Sequence, residues 1–503
     1  MYTLKQCRVI DMKATFYQLK GQIWILLLTI LGLFLRLFQL GEWSFWHDEA
    51  LTVLLARKLT SELIQITASD VHPPLYFLLV KAFMLFGQSE FIIRLPSALC
   101  SAGSIFILYL LGRDLFDEQV GQVGAFIVAI SPLQLFYAQE ARMYAQLLLL
   151  TVFSSWCFTR ALRSDNILWW GLFTLGATLA SYTAYFALTV FLAMGLYVLL
   201  VDKRPKHILH FVAAIGVVAL LYLPWIDIFF TQTRSVFDSY WIARPSPLTI
   251  FTALSAFFVS YSLPSLWIAV SLAVTLLILF VVLNDVRHAL AESSMDARSL
   301  VWLLLWGSVP LLGTYLVSLV RPIFQIRTVI TASPAFYLLV AWGITRARRR
   351  KLNLLLSLPT LVMMLVSVLN FYFNPTFAKP PWRQAAYYVQ ERAQPGDVVL
   401  HTSDGSFLPF LSYEPNVEHI LLPEDPVAAR ENAPSQSIVC AVGGLPQPMN
   451  KAVQGHERAW LVVGLDHAVA HQLEQKQRFD ARYHLLEETE MGGIYIFTYA
   501  LFQ

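Results

Sequence analysis

Apolar residues in this 503-residue chain come in long runs, separated by short polar or Gly/Pro-containing segments. Runs near the ~20 residues that a helix needs to cross hydrocarbon predict transmembrane helices rather than a barrel. The expected spans are 22–40, 94–112, 120–138, 142–162, 167–184, 185–201, 208–229, 264–284, 299–319, 328–345 and 352–373, about eleven in all. Residues 74–87 are apolar too, but ~14 residues suit a helix lying in the interface better than a span.

Charge placement supports that choice, because Lys and Arg accumulate in short cytoplasmic loops. With the amino terminus inside, the cytoplasmic face collects Lys5, Arg8, Lys13 and Lys20, then Arg160 and Arg163, then Lys203, Arg204 and Lys206, then Arg346, Arg348, Arg349, Arg350 and Lys351. Counting 74–87 as a span would throw every later cluster outside. The same parity puts the loop 41–93 and everything after about residue 374 on the exoplasmic, periplasmic side of an inner membrane. The run 26–40 continues too long for a signal peptide and lacks a small-residue cleavage site, so it is expected to stay as an anchor.

A composition of 57% hydrophobic and 14% charged residues lies outside the soluble globular range. The net charge of +3 is mostly the basic cytoplasmic signal and implies no nucleic-acid partner. Beyond the transmembrane domain 1–373, residues 374–503 turn mixed polar, with a helix-like 383–393, a Pro395-Gly396-Asp397 turn and a strand-like 398–400. Strand-like 437–442, 459–463 and 493–498 alternate with a helix-like 469–477, which predicts a small exoplasmic α/β domain. Cys440 is its lone cysteine, so its core must hold without an internal disulfide.

The chemistry is expected in the first exoplasmic loop, where Trp43-Ser44-Phe45-Trp46-His47-Asp48-Glu49-Ala50 sets two carboxylates among aromatics. A positioned carboxylate can take the proton of a hydroxyl as it attacks a sugar's anomeric carbon, and a phosphate leaving group departs without an acid. Successive helical residues point apart, so the two cannot act as a facing pair. Asp48 is the expected base, and Glu49 is expected to orient backbone or a basic neighbour. A phosphate needs cations, and arginine offers it two parallel hydrogen bonds. Arg142 and Arg327 are the preferred contacts, then Arg94, with Arg321 weakest; Arg57 follows the carboxylates in the chain. His72 precedes Pro73-Pro74 at the start of the interfacial helix, whose only charge is Lys81, and both are further candidates for the donor's phosphate. His47 can contact phosphate or metal, although no cluster has the spacing of a strong metal site and no cofactor is required.

Together, Trp46-His47-Asp48-Glu49-Ala50, His72-Pro73-Pro74-Leu75-Tyr76, Arg94-Leu95-Pro96-Ser97-Ala98-Leu99 and Glu140-Ala141-Arg142-Met143-Tyr144 resemble the bacterial branch of the protein O-mannosyltransferase superfamily, of the GT-C glycosyltransferase type. The layout is similar to that of lipid A aminoarabinose transferases. The resemblance implies an inverting, usually metal-independent transfer of one sugar from a polyprenyl phosphate carrier to a lipid, glycan or protein acceptor at the exoplasmic face. It implies Asp48 as base and adds Glu140 and Tyr144 as site candidates, with Glu140 or a close neighbour standing where the aminoarabinose transferases carry Asp. It also implies a donor groove facing the membrane lipids, which the helix 74–87 would line.

Two other readings are a transporter of a solute or lipid-linked sugar, and a membrane-anchored glycan-binding scaffold. Coupled carriers place ionisable residues or broken helices near the midplane, where the expected spans hold almost none. Orientation is testable at Cys440: an impermeant maleimide is expected to label it from outside intact cells. Protection until the membrane is opened would reverse the topology.

Overall fold

The computed structural model describes residues 21–164, 166–238, 242–413, 416–423, 439–464 and 469–501. Lys5, Cys7, Arg8, Lys13 and Lys20, and part of the expected strand 437–442, lie outside them.

Every expected span falls on helix, but the count of eleven is not carried by length. Among the described residues six helices are long and apolar enough to cross a membrane: Glu90–Leu115, Tyr144–Ser164, Pro205–Arg234, Ser265–Ala291, Ala297–Val320 and Arg350–Phe373. The bent pair Glu118–Ile130 and Pro132–Ala138 makes a seventh if it is one span. The expected spans 22–40, 167–184, 185–201 and 328–345 fall on shorter apolar helices of 10–17 residues. A further short helix, Pro247–Val259, has no counterpart in the expected set. Pro247 sits in its first turn, Ser246 and Thr249 form a reciprocal capping box, and its second half is buried.

The bend of 57° in the helix pair comes from Pro132. Proline has no N–H for the carbonyl four residues back, so Val128 loses its helical donor there. The Ser131 N–H reaches Val128 O only at 3.4 Å, and Arg36 supplies the shorter bond, donating to Val128 O at 3.0 Å and Ala129 O at 3.1 Å while Nε donates to Ser101 Oγ at 2.7 Å. The guanidinium is fully buried and lies at the carboxyl end of a helix, where the backbone dipole favours a cation. One side chain therefore joins the first helix to the break and to Glu90–Leu115.

The first loop folds into the helices His47–Arg57, Thr60–Ala68 and Leu75–Phe83. The last starts after Pro74 as expected and is two-faced, with Tyr76, Phe77 and Val80 fully buried and the following Leu85 and Phe86 exposed.

The carboxyl domain carries a five-stranded sheet: β1 Val398–His401, β2 Glu418–Leu421, β3 Arg458–Val463, β4 His484–Met491 and β5 Ile494–Ala500, in the order β2-β1-β3-β5-β4. β1 pairs parallel with β2 and β3, while β5 pairs antiparallel with β3 and β4. Several elements depart from expectation. Residues 439–441 are helical rather than strand. The helix Asp404–Tyr413 is new despite its internal Pro409, and so are the two sheet-edge strands, β2 and the Glu-rich β4. β4 and β5 are joined by Gly492-Gly493 at φ +55° and +86°, the left-handed geometry of a two-residue hairpin turn.

Arg36→Met should lower the thermal midpoint in detergent, at a cost of about 1–3 kcal/mol, because the Ala129 carbonyl loses its donor and Val128 O keeps only the long bond from the Ser131 N–H. An unchanged midpoint would show that the broken helix does not need its cap.

Candidate active site

The helix His47–Arg57 starts with His47, Asp48 and Glu49 in its first turn, where negative charge complements the helix dipole. The turn spreads the two carboxylates in different directions, and they have different partners.

Glu49 points inward and is completely buried. Arg94 meets it with two parallel bonds, Nε to Oε1 at 2.7 Å and Nη2 to Oε2 at 2.7 Å. The Ala141 N–H donates to Oε1 at 2.9 Å, and Lys379 Nζ to Oε2 at 2.9 Å. Burial opposes ionisation, but Arg94 and Lys379 overcome it and hold the Glu49 carboxyl down at about 2. Arg94 spends its remaining N–H groups on Leu40 O at 3.0 Å, Trp43 O at 2.8 Å and Ser44 O at 3.0 Å. With all five donors used and 1% of its surface exposed, Arg94 has nothing left for a phosphate. The expectation that it contacts the donor is withdrawn: it is the pin of the loop. For the same reason Glu49 is a support rather than a base.

Asp48 faces the other way. Its Oδ1 accepts from His47 Nδ1 at 3.1 Å, and its Oδ2 lies 3.2 Å from Arg327 Nη1 and 3.7 Å from Arg142 Nε. Burial would raise the carboxyl's pKa, but Arg142, His47 and Arg327 together hold it well below the usual carboxylate range. Arg142 is 4% exposed, and its Nε is a buried donor without a hydrogen bond. Trp46 Nε1, at the head of the same helix, is another. Two arginines, one of them with an unused donor, thus form a small cationic cup around the Asp48 carboxylate.

Glu140 and Tyr144 are both buried beside this cup. Among the described residues no donor bonds the Glu140 carboxyl; burial, aided by Glu49 and Asp48 against Lys379 and Arg327, raises it to about 7. The Tyr144 ring packs on Tyr137 with centroids 5.0 Å apart. His47 is held on both nitrogens by carboxylates, Asp48 at 3.1 Å and Asp404 at 3.2 Å, which leaves neither for a phosphate or a metal.

Four other candidates lie elsewhere. Lys81 donates to Ala56 O and Lys58 O, and Arg57 to Gln88 at 3.1 Å, both at the far end of the helix, roughly 12 Å along its axis from Asp48. His72 bonds Asp70 at 3.0 Å, a carboxylate that lies within electrostatic reach of Arg142. Arg321 is exposed at the end of Ala297–Val320. Two contributors escaped sequence reasoning. Lys379 shows only as a cation a few residues beyond the last span. Asp404 carries no local signal and reaches the site only through the fold of its domain. Among the described residues no three His, Cys, Asp or Glu side chains gather at metal-binding distance.

Residues 71–226 match a family described as dolichyl-phosphate-mannose-protein mannosyltransferase, a segment that holds Arg94, Glu140 and Arg142 but not Asp48 or Arg327. The putative mannosyltransferase YkcB of Bacillus subtilis (strain 168) is 25% identical over 160 residues, 31% of this chain and 22% of that protein. Much more of the chain superposes on ArnT from Cupriavidus metallidurans bound to undecaprenyl phosphate, with a TM-score of 0.64 over 95% of this chain and 98% of that one for the apo state, at 11% identity. The chain has the GT-C glycosyltransferase fold. The archaeal oligosaccharyltransferase AglB from Archaeoglobus fulgidus, in complex with an inhibitory peptide and a dolichol-phosphate, shares that fold at a TM-score of 0.54 and 10% identity, over 97% of this chain and 75% of that one. The curated relative extends well beyond the aligned part, whereas the GT-C fold accounts for nearly the whole chain.

Arg94→Met leaves the buried Glu49 with only Lys379 and the Ala141 N–H of the partners described, and is expected to cost about 3–5 kcal/mol in thermal unfolding. Because the folded Glu49 titrates at about 2 against 4.5 ordinarily, its stabilisation is complete above about pH 4.5 and is lost as pH falls towards 2. The thermal midpoint of Glu49→Gln should therefore fall less steeply than that of wild type between about pH 5 and 3.

Proposed function

We propose that the chain is an inverting transferase that moves one sugar from a polyprenyl phosphate carrier to a hydroxyl acceptor, on the exoplasmic side of a cell membrane. The observation that carries this reading is the cup itself: one ionised, partly buried carboxylate whose Oδ2 is shared by two guanidiniums, one of them with an unused buried donor. A carboxylate tied this tightly to cations is a poor base. It becomes a good one if another anion takes the cations away, and a phosphodiester is such an anion.

On this reading Arg327 and Arg142 pass from Asp48 Oδ2 to the donor's phosphate. The acceptor oxygen attacks the anomeric carbon from the side opposite the phosphate. As that bond forms, Asp48 takes the hydroxyl proton, and the bond from the anomeric carbon to the phosphate oxygen breaks. The polyprenyl phosphate leaves as an anion on the arginines. Inversion follows from a single displacement. ArnT and AglB, whose fold this chain shares, have been captured with undecaprenyl phosphate and with dolichol-phosphate, which supports a lipid phosphate as the donor's head. The match to a mannosyltransferase family supports a hexose as its cargo.

Purified protein in nanodiscs with undecaprenyl-phosphate mannose tests the reading. Asp48→Asn is expected to lose transfer by about 10²–10⁴-fold while still binding the lipid, the range for removal of a general base. Wild-type rates from that variant would overturn the mechanism. The exchange of partners has its own signature. Asp48 titrates higher when the donor holds the arginines, so the acid limb of kcat should lie at higher pH than that of kcat/KM. Coincident limbs would mean that the arginines never leave Asp48.

A further inference from the structure

The first turn of His47–Arg57 is shared between two parts of the protein. Asp404 begins the helix after β1, at the carboxyl ends of the parallel strands, with β1 flanked by β2 on one side and β3 on the other. In open α/β sheets that point is a crevice where ligands bind. Here it holds His47, with Asp404 Oδ2 3.2 Å from Nε2. The docking is secured close by. Tyr413, at the end of the same helix, accepts from the Phe45 N–H, donates to Glu90 at 2.8 Å and stacks on Phe45 at 5.6 Å. Arg383 donates to Glu90 at 2.9 Å.

A neutral imidazole has one N–H, and between two carboxylates it would turn a lone pair towards one of them. Both ring nitrogens of His47 face carboxylate oxygens, so the arrangement is satisfied only by the doubly protonated ring. Asp48 is the charged neighbour on its own helix, Asp404 the one from the carboxyl domain, and Arg142 and Arg327 stand beyond Asp48. If the arginines depart to a phosphate, the His47 Nδ1–H is the contact that stays on Asp48.

We propose that Asp404 is a positioning residue of the transferase site: it holds His47 charged and turned so that Nδ1–H occupies Asp48 Oδ1, which leaves Oδ2 as the oxygen that takes the acceptor's proton. The soluble domain thereby selects which carboxylate oxygen is the base. Burial alone would push the His47 ring down, but Asp404 and Asp48 reverse this and raise it to about 10, in accord with the geometry. The proposal rests on the reading of Asp48 as base, and its test separates the two.

The full-length protein is labelled with ¹⁵N-histidine in nanodiscs, and the ring signals of His47 are identified by their loss in His47→Gln. The wild-type ring should stay doubly protonated up to about pH 9, and in Asp404→Asn it should titrate about two pH units lower. With undecaprenyl-phosphate mannose as donor, Asp404→Asn should lower kcat about tenfold at pH 9 with KM unchanged, Asp404→Glu should recover part of it, and in His47→Gln the same substitution should add nothing. A wild-type ring that loses its proton near the ordinary ~6.5 overturns the proposal without any variant. So does an Asp404→Asn protein with wild-type titration, or losses that add to those of His47→Gln. If Asp48→Asn abolishes transfer while Asp404→Asn leaves it unchanged, only this inference fails. If Asp48→Asn retains transfer, the mechanism falls, and with it the role of His47.

Discussion

The pairing of Glu49 with Arg94 holds the site in place. Neither ion is exposed by more than 1% of its surface, so each depends on the other to remain charged away from water. Arg94 stands in the first turns of a long helix, and from there it binds the carboxylate and three carbonyls of the preceding loop. A loop that would otherwise move freely at the membrane surface is thereby fixed to a rigid rod. Ala141 and Lys379 bring the loop before Tyr144–Ser164 and the linker after the last span to the same carboxylate.

With Glu49 locked, the helix turn leaves Asp48 one direction in which to point. The partition between adjacent acids follows from helix geometry: one is consumed by structure, and its neighbour, rotated around the axis, is left for the proposed chemistry. The two differ less in intrinsic acidity than in the kind of partner each has. Glu49 is met by groups that have no other use. Asp48 is met by groups that a phosphate can compete for.

Helical spans were legible because a run of apolar residues has few alternatives in hydrocarbon. The elements missed are those in which the local signal is weak or inverted. The helix Pro247–Val259 is too short to register as a span, and β4 exposes its glutamates because it lies at the edge of the sheet. The Gly492-Gly493 pair marked its hairpin in plain sight, and reading it as a turn would have yielded β4. At the site, Asp48, Arg142 and Arg327 stood out as charges where charge is costly. Arg94 stood out for the same reason, but whether a buried arginine is committed to the fold or open to a ligand depends on carbonyls that no periodicity reveals. Lys379 and Asp404 meet their partners across 330 and 357 residues, a separation that only the tertiary fold brings together.

That separation also has a bearing on synthesis. Asp48 emerges from the ribosome early, Arg327 after some two-thirds of the chain, and Asp404 later still. Until the last of them has folded into place, Asp48 has neither a ring held from both sides nor its full set of cations. A nascent or truncated polypeptide therefore carries the acidic motif without the neighbours that set its charge and direction.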